Sequence, residues 1–449
     1  MRNESSVELT AVDGHREVVF AEDNFEPAHI TGRPVPPPDG GKDAWLFLIA
    51  CFMFEATIWG FPYTFGIFQE HYSSNPLFAG SKNIAVIGTC GMGIMYLDAP
   101  FVFASLQKWP RLRRPAVVIG IVIMATALVL SSFSQNVTHL ILTQGILYAI
   151  GGSIAYSPTI LFVNEWFIKK RGMAFGFMWA GTGVAGVVLP LVLQALLARY
   201  GFRTTLRIWA IALSILTLPL STFVKPRVPL TQAQPRQHSS GPLFDLRFML
   251  SPSFIVLQAC NILESLGYFM PAIYLPTYAS EGLGVGGVRA ALTVIAVNIA
   301  SVFGCIVMGG MIDRWHVTTC ILVSTVGATV GVFVLWGLAT NLGVLYIFCV
   351  VYGLFAGSFS STWTGIIKDV QRKHHEADSG IVFGFLAFGR GVGNVVSGPL
   401  SEALVRGKPW IGEGGMAYGT GYGPLITFTG VSALLGGLSF LVRRVGWLW

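Results

Sequence analysis

The chain has 449 residues, of which 53% are hydrophobic, 13% are aromatic and only 11% are charged. Soluble proteins contain about 25% charged residues, so this composition excludes an ordinary soluble globular enzyme. The formal net charge is +7, but the basic residues lie between apolar segments. They are therefore interpreted as charges that orient a membrane protein, and no nucleic-acid partner is expected.

Twelve apolar segments have the length that a transmembrane helix needs, about 20 residues. They lie at about 44–67, 83–105, 115–134, 139–164, 172–197, 204–224, 252–279, 287–312, 317–338, 343–366, 379–404 and 422–442. The sequence therefore predicts an all-α integral membrane protein of twelve transmembrane helices in two six-helix halves.

Polar segments predict the domain boundaries. Residues 1–43 are polar and are expected to form a disordered tail. A first six-helix bundle is expected over 44–224 and a second over 251–442, joined by a Pro-, Gln- and Ser-rich linker at 225–250. Residues 443–449 form a short second tail.

The distribution of basic residues predicts the orientation. With the N-terminus inside, 21 of the 29 Lys and Arg residues lie on the cytosolic side, the bias typical of multi-pass proteins. The tails and the linker are then cytosolic, and the expected location is the cell membrane. Asn136-Val137-Thr138 is a glycosylation sequon in an outer loop, which makes Asn136 a candidate modification site.

An internal repeat supports the two halves. Gly172-Met-Ala-Phe-Gly-Phe in span five matches Gly380-Ile-Val-Phe-Gly-Phe in span eleven, at an offset of 208 residues. Two halves with the same orientation and a polar linker are typical of transporters built from parallel repeats.

Five motifs resemble those of a known family. They are DGGKDAW at 39–45, FGIFQE at 65–70, EWFIKKRGMAFG at 165–176, YLPTYA at 274–279, and GRGVGN at 389–394 with Gly398-Pro399. On these motifs the chain resembles the major facilitator superfamily and, within it, the fungal relatives of the monocarboxylate porters. The resemblance implies a secondary transporter with alternating access, whose substrates range from monocarboxylates and vitamins to secondary metabolites.

Two departures from the family pattern bear on mechanism. The inner-loop pattern GxxxDR is intact in the second half, ending at Asp313-Arg314, whereas the first-half counterpart at 104–114 lacks the acidic residue. Asp313 and Arg314 are therefore expected to form an inner gate that is held asymmetrically. The span-eight Asp/Arg pair of similar animal carriers is absent from 298–305, which argues against lactate-type proton symport.

Three charged residues lie at mid-membrane depth. Glu55, Glu264 and Arg390 are each about eleven or twelve residues into a span, roughly 16–18 Å deep at 1.5 Å per residue. Such residues are functional candidates because burying charge in a bilayer is costly. Arg390 suits a substrate carboxylate or enolate, and its alternative role is a structural pair with Glu264. Glu55 and Glu264 are the candidate proton carriers.

The candidate substrate contacts combine these charges with polar and aromatic residues. They are Arg390, Glu264, Glu55, Asn298, Tyr63, Tyr268 and Trp363. The sequence contains no P-loop, GxSxG or HExxH pattern and no CxxC pair, so no catalytic residues, cofactor, metal site or disulfide framework are expected.

These observations predict a monomeric secondary active transporter of an organic, anionic metabolite, with efflux of a secondary metabolite as the favoured direction. Proton-coupled uptake of a monocarboxylate or similar nutrient is the alternative direction. A membrane sensor that does not transport is the alternative of another class.

Overall fold

The computed structural model describes residues 36–228, except 79 and 82, and residues 246–445. Over these residues the chain is helical, and they contain no β-strand. Their helices account for twelve spans, which confirms the predicted all-α membrane fold. The N-terminal residues 1–35 and most of the predicted linker, 229–245, lie outside the described residues.

The helices are named α1 to α12 in chain order. They are α1 Lys42–Ser74, α2 Ile84–Leu97 continued by Ala99–Lys108, α3 Pro110–Ser131, α4 Val137–Trp166, α5 171–200, α6 202–220, α7 Pro252–Gly282, α8 Val288–Ile312, α9 Val317–Trp336, α10 Leu342–Lys373, α11 Ser379–Val405 and α12 Gly423–Arg444.

Helices α5 and α6 form one stretch, Arg171–Leu220, that is interrupted only at Gly201. Gly201 has φ 70° and ψ 173°, a conformation that glycine adopts without the steric cost that a Cβ would add. This single residue therefore separates the fifth and sixth spans, where the sequence predicts a longer connection at 198–203.

Helix α2 is bent by 41° between its two segments. Asp98 lies at the bend, and Pro100 lies at the start of the second segment, where a missing N–H is tolerated. The Asp98 carboxylate accepts a hydrogen bond from Ser153 Oγ of α4 at 2.7 Å, which fixes the bend against the next helix.

Several helices extend beyond the predicted spans. Helix α1 begins at Lys42 and ends at Ser74, and α10 continues to Lys373, seven residues past the predicted end. A hydropathy pattern marks the hydrocarbon thickness, but a helix continues into water until a residue or a turn stops it.

The two halves meet along α5 against α8 and α2 against α11. Glycines allow the closest approach on the first pair, since a Cβ on Gly176 would overlap the Cys305 carbonyl oxygen. On the second pair, a Cβ on Gly384 would lie 3.0 Å from Pro100 Cα. Small residues at such positions are typical of helix contacts in membranes.

Candidate substrate cavity

A cavity of about 1240 Å³ lies between the two halves and is lined by residues of both. It reaches the end of the bundle where Gln69 and Glu70 of α1 and Glu402 of α11 lie, and we call this end the open face. The opposite end, where α1 begins and α12 ends, is the closed face. The cavity is large enough for a drug-sized ligand, for which pockets of about 300–1,000 Å³ are typical.

Contacts between the halves seal the closed face. The rings of Phe103 in α2 and Phe383 in α11 pack edge to face with centroids 5.5 Å apart. Asp313, just after α8, accepts hydrogen bonds from the backbone N–H groups of Gly172 at 2.7 Å and Met173 at 2.9 Å. Because those N–H groups belong to the first turn of α5, a carboxylate of one half caps a helix of the other.

Asp39, which precedes α1, binds the turn that leads into α5. Its carboxylate accepts hydrogen bonds of 2.8–3.0 Å from the N–H groups of Ile168, Lys169 and Lys170. Partial burial raises the pKa of Asp39, but these donors outweigh it and the pKa lies below its ordinary value. The predicted motif at 39–45 thus holds the first half together at the closed face.

Arg390 lies deep in the cavity wall and is 3% exposed. Its Nη1 donates to Glu264 Oε2 at 3.2 Å, and its Cζ lies 4.1 Å from the centroid of the Tyr268 ring. All three residues belong to the second half. Removing one partner of a buried ion pair is costly because it leaves a charge without compensation.

Glu264 lies behind Arg390 and does not line the large cavity. It borders a separate void of about 10 Å³ together with Thr325 and Ser432, a volume that suits one water molecule. Thr325 Oγ1 is buried there without a hydrogen-bond partner among the described residues. Depth in the bilayer therefore placed Glu264 correctly beside Arg390, but it faces the interior of the second half.

Glu55 lines the large cavity from the first half. Thr182 Oγ1 of α5 donates a short hydrogen bond to its Oε1. The second oxygen, Oε2, is buried and accepts no hydrogen bond of normal geometry in the described structure, although the Tyr156 side chain lies beside the carboxylate.

The other predicted contact residues also line the cavity. The hydroxyls of Tyr63 and Tyr96 are 3.0 Å apart. Trp363 Nε1 donates to Asn261 Oδ1 at 3.1 Å. Asn298 Nδ2 donates to the Gly186 carbonyl oxygen at 3.3 Å, across the contact between α8 and α5.

Comparison with known proteins agrees with this architecture. Residues 46–398 match the family model described as Major Facilitator Superfamily. The chain belongs to the Major Facilitator Superfamily.

Fungal transporters of this superfamily are among its curated relatives. The chain is 29% identical to "MFS transporter asaE" of Aspergillus flavus, over 92% of this chain and 90% of the relative. It is 28% identical to "Agnestins efflux protein AgnL12" of Paecilomyces divaricatus over 92% and 90%. It is 27% identical to "Fujikurins efflux protein" of Gibberella fujikuroi over 72% and 69%.

Family membership confirms the prediction of a multi-pass membrane transporter that works by moving a small organic substrate, not by catalysing a reaction. In a superfamily protein, a cavity open at one face and sealed at the other corresponds to one of the two states of alternating access.

The structure also locates the other candidate residues. Arg314 is exposed beside Asp313, and Asp313 alone makes the hydrogen bonds to α5 described above. Asn136 is exposed and caps α4, where its Oδ1 accepts a hydrogen bond from the His139 N–H at 2.9 Å. The side-chain nitrogen of Asn136, the atom that a glycan would modify, is 3.4 Å from His139 Nε2.

Sequence reasoning missed several residues that line this superfamily cavity. Tyr96, Tyr156, Thr182 and Asn394 contribute polar atoms to it. A signal existed for Asn394, because it follows Arg390 by four residues and so lies on the same face of α11. Tyr96 and Tyr156 had no comparable signal, since each is one aromatic residue in an apolar span.

Proposed function

We propose that this transporter exports an organic anion, with Arg390 as the residue that binds the anionic group. The observation that carries the proposal is that Arg390 is the one Lys or Arg among the cavity-lining residues described. A guanidinium offers five donors in a planar fork. Glu264 accepts from Nη1 at 3.2 Å and the Tyr96 side chain also lies beside the guanidinium, and the donors that remain suit a substrate carboxylate or enolate.

Export is favoured over uptake by the relatives, two of which are named as efflux proteins. The size of the cavity also supports a bulky organic metabolite over a small monocarboxylate. The finer resemblance to the fungal relatives of the monocarboxylate porters is part of this proposal, and it rests on the sequence motifs at 39–45 and 389–394.

Proton coupling belongs to the same proposal. Glu264 is the first proposed proton site, since it is the buried carboxylate that pairs with Arg390 at 3.2 Å. Export against an inward proton gradient requires that the proton and the substrate bind in turn and not together. Glu55 is the second proposed proton site, since it is a buried carboxylate that lines the same cavity as Arg390.

The proposed orientation places the closed face in the cytosol. The bias of basic residues supports it, as does the exposed sequon at Asn136 near the open end of α4. In this orientation a monomer in the cell membrane has both termini and the 225–250 linker inside, and the described state is open outward. Protease added outside intact cells should leave the linker uncut, and cleavage there would refute the orientation.

The test is flux through the purified full chain in proteoliposomes, with a labelled aromatic carboxylate added outside. We expect a pH gradient across the vesicle membrane to drive accumulation of the label. Arg390→Lys should weaken apparent affinity by about tenfold, because Lys cannot form a bidentate pair and charged hydrogen bonds contribute roughly 1.5–3 kcal/mol. Arg390→Ala should abolish transport, and Lys408→Ala, which removes an exposed cation of the open face, is the matched control.

Folding has to be separated from binding in this assay. If Arg390→Ala expresses poorly, the double change Arg390→Ala, Glu264→Ala removes both buried charges and should restore expression without restoring flux. Normal expression with unchanged affinity in Arg390→Ala would refute the anion site. Flux that does not depend on the pH gradient would refute proton coupling but not the anion site.

A further inference from the structure

Three cavity-lining residues each have one buried polar atom for which the described part of the chain provides no hydrogen bond of normal geometry. The atoms are Glu55 Oε2, Asn394 Oδ1 and Trp59 Nε1, and the Tyr156 side chain lies beside the Glu55 carboxylate. The residues are only 4%, 7% and 6% exposed, respectively. A buried polar atom that makes no hydrogen bond costs roughly 1–3 kcal/mol, so atoms left in this condition around one cavity indicate where a ligand supplies the missing partners.

These atoms lie on α1 of the first half and α11 of the second half, and both helices line the cavity. Glu55, Trp59 and Tyr63 are spaced four residues apart on α1 and so form one stripe along it. Arg390 and Asn394 form the corresponding stripe on α11. The carboxylate therefore belongs to the first half and the cation to the second, which gives the cavity one acidic and one basic wall.

The two walls require different groups of one ligand. Arg390 has donors only, so its partner is an acceptor, best an anionic oxygen. An ionised Glu55 has acceptors only. Thr182 donates to Oε1 and the Tyr156 side chain lies beside the carboxylate, so a ligand group that binds Glu55 is an O–H or N–H donor. A simple carboxylate satisfies the basic wall and leaves the acidic wall unpaired.

The space between the walls is bordered by aromatic rings. Trp59 and Tyr96 have ring centroids 4.5 Å apart. Deeper in the cavity, the centroids of Trp363 and Phe383 are 5.4 Å apart, and those of Trp179 and Trp363 are 6.1 Å apart. Ring faces and edges of this kind favour a flat aromatic body over a flexible aliphatic chain.

We propose that the substrate class is a hydroxylated aromatic acid. Its acidic group binds Arg390, its ring lies among the aromatic side chains, and a ring hydroxyl donates a hydrogen bond to Glu55 Oε2. This inference rests on the proposed export of an organic anion and adds the ring hydroxyl and Glu55 as the group and the residue that select among anions.

The test is a ligand series on the purified full chain in nanodiscs, with dissociation constants measured by titration calorimetry. The probes are 2-naphthoate, its 1-, 3- and 6-hydroxy derivatives, 2-naphthol and 2-naphthylmethylamine. We expect at least one hydroxynaphthoate to bind about tenfold tighter than 2-naphthoate, the gain from one hydrogen bond to a charged group.

Variants of Glu55 and Arg390 test which residue is responsible for the higher affinity that the hydroxyl group provides. In Glu55→Met the advantage of the hydroxyl should fall below about twofold, while 2-naphthoate affinity stays close to wild type. Glu55→Gln, which keeps an oxygen at the same place, should retain part of the advantage and guards against a folding defect. Arg390→Met should weaken the affinity for 2-naphthoate and for its hydroxy derivatives at least tenfold, and the affinity for 2-naphthol should stay unchanged. Glu413→Gln, the same charge change on an exposed loop outside the cavity, is the control.

The possible outcomes distinguish failure of this inference from failure of the proposed anion export. Naphthoates that bind equally with and without a hydroxyl at every position would overturn the hydroxyl assignment and leave anion export intact. A hydroxyl advantage that survives in Glu55→Met would overturn the role of Glu55. Binding of the amine in place of the naphthoates would overturn the anion site itself.

Discussion

The first turns of α5 and α11 are equivalent positions of the internal repeat, yet they are capped in different ways. At α5 the N–H groups of Gly172 and Met173 donate to Asp313, which belongs to the other half. At α11 the equivalent N–H groups, of Gly380 and Ile381, donate at 2.7 and 3.2 Å to Asp378, the residue that caps its own helix.

This difference follows from where the acidic residues lie in the sequence. The first inner loop, 104–114, has no Asp or Glu that could reach across to α11. The position before α5 that corresponds to Asp378 is occupied by Lys170, which cannot accept a hydrogen bond. Both helix ends are therefore satisfied, but only the cap at α5 joins the two halves. The closed face thus has one helix cap that crosses between the halves and one that stays local, and a hydrogen bond of 3.3 Å from Asn164 Nδ2 of α4 to Ser379 Oγ of α11 also crosses it.

The largest expected effect comes from adding a side chain at the tight contact between α5 and α8, close to the cap that joins the halves. Gly176→Ala places a methyl group against the backbone of Cys305, and overpacking of this kind costs about 1–3 kcal/mol. We expect the closed face to open, which distances between spin labels at Ile168 and Trp315 would report. Gly310→Ala is the control, because a Cβ there meets no atom within 4 Å. Unchanged distances in Gly176→Ala would refute the tight α5–α8 contact.

The second prediction compares the two caps directly. Loss of a helix cap costs about 1 kcal/mol, which shifts an equilibrium about fivefold. Asp313→Ala should destabilise only the closed state by this amount, because the bond between the halves exists only there. The distances between the spin labels should therefore increase. Asp378→Ala should lower thermal stability by a similar amount and leave the distances as they are. An equal shift in both variants would refute the distinction between the caps.

The smallest expected effect belongs to Asp39, whose bonds stay inside the first half. Asp39→Asn keeps an acceptor oxygen and loses the charge, so we expect a loss of about 0.3–1 kcal/mol without any change of state. The lowered pKa of Asp39 sets the pH dependence. Its stabilisation is present above the ordinary pKa of 3.8 and is lost as pH falls through the lower folded value. A melting difference between wild type and variant that grows below pH 4 would contradict this sign.

The fold was largely predictable from the sequence because a bilayer demands long apolar helices. The pattern identified twelve spans, whereas the break at Gly201 and the bend at Asp98 depend on local backbone geometry that hydropathy does not record. The helix ends were displaced for the same reason, as the extension of α10 to Lys373 illustrates.

The sequence predicted how deep in the membrane the candidate site residues lie, but not which way their side chains face. Counting residues placed Glu55, Glu264 and Arg390 at one level, and Arg390 does contact Glu264. The count could not show that Glu264 faces the interior of its own half while Glu55 faces the cavity. That distinction depends on the rotation of α1 and α7 about their axes, which is set by packing against neighbouring helices. Asn394 lay in a motif, but its unpaired oxygen is visible only in three dimensions.

The two carboxylates that hold the start of α5, Asp39 and Asp313, accept their hydrogen bonds from backbone N–H groups of that segment. Every amino acid except proline supplies such a donor. Residues 168–170 can therefore change over generations without losing these hydrogen bonds, whereas a change at Asp39 or Asp313 removes the acceptor. Selection on closure between the halves should accordingly fall on Asp313, and selection on the integrity of the first half on Asp39, more than on the turn between them.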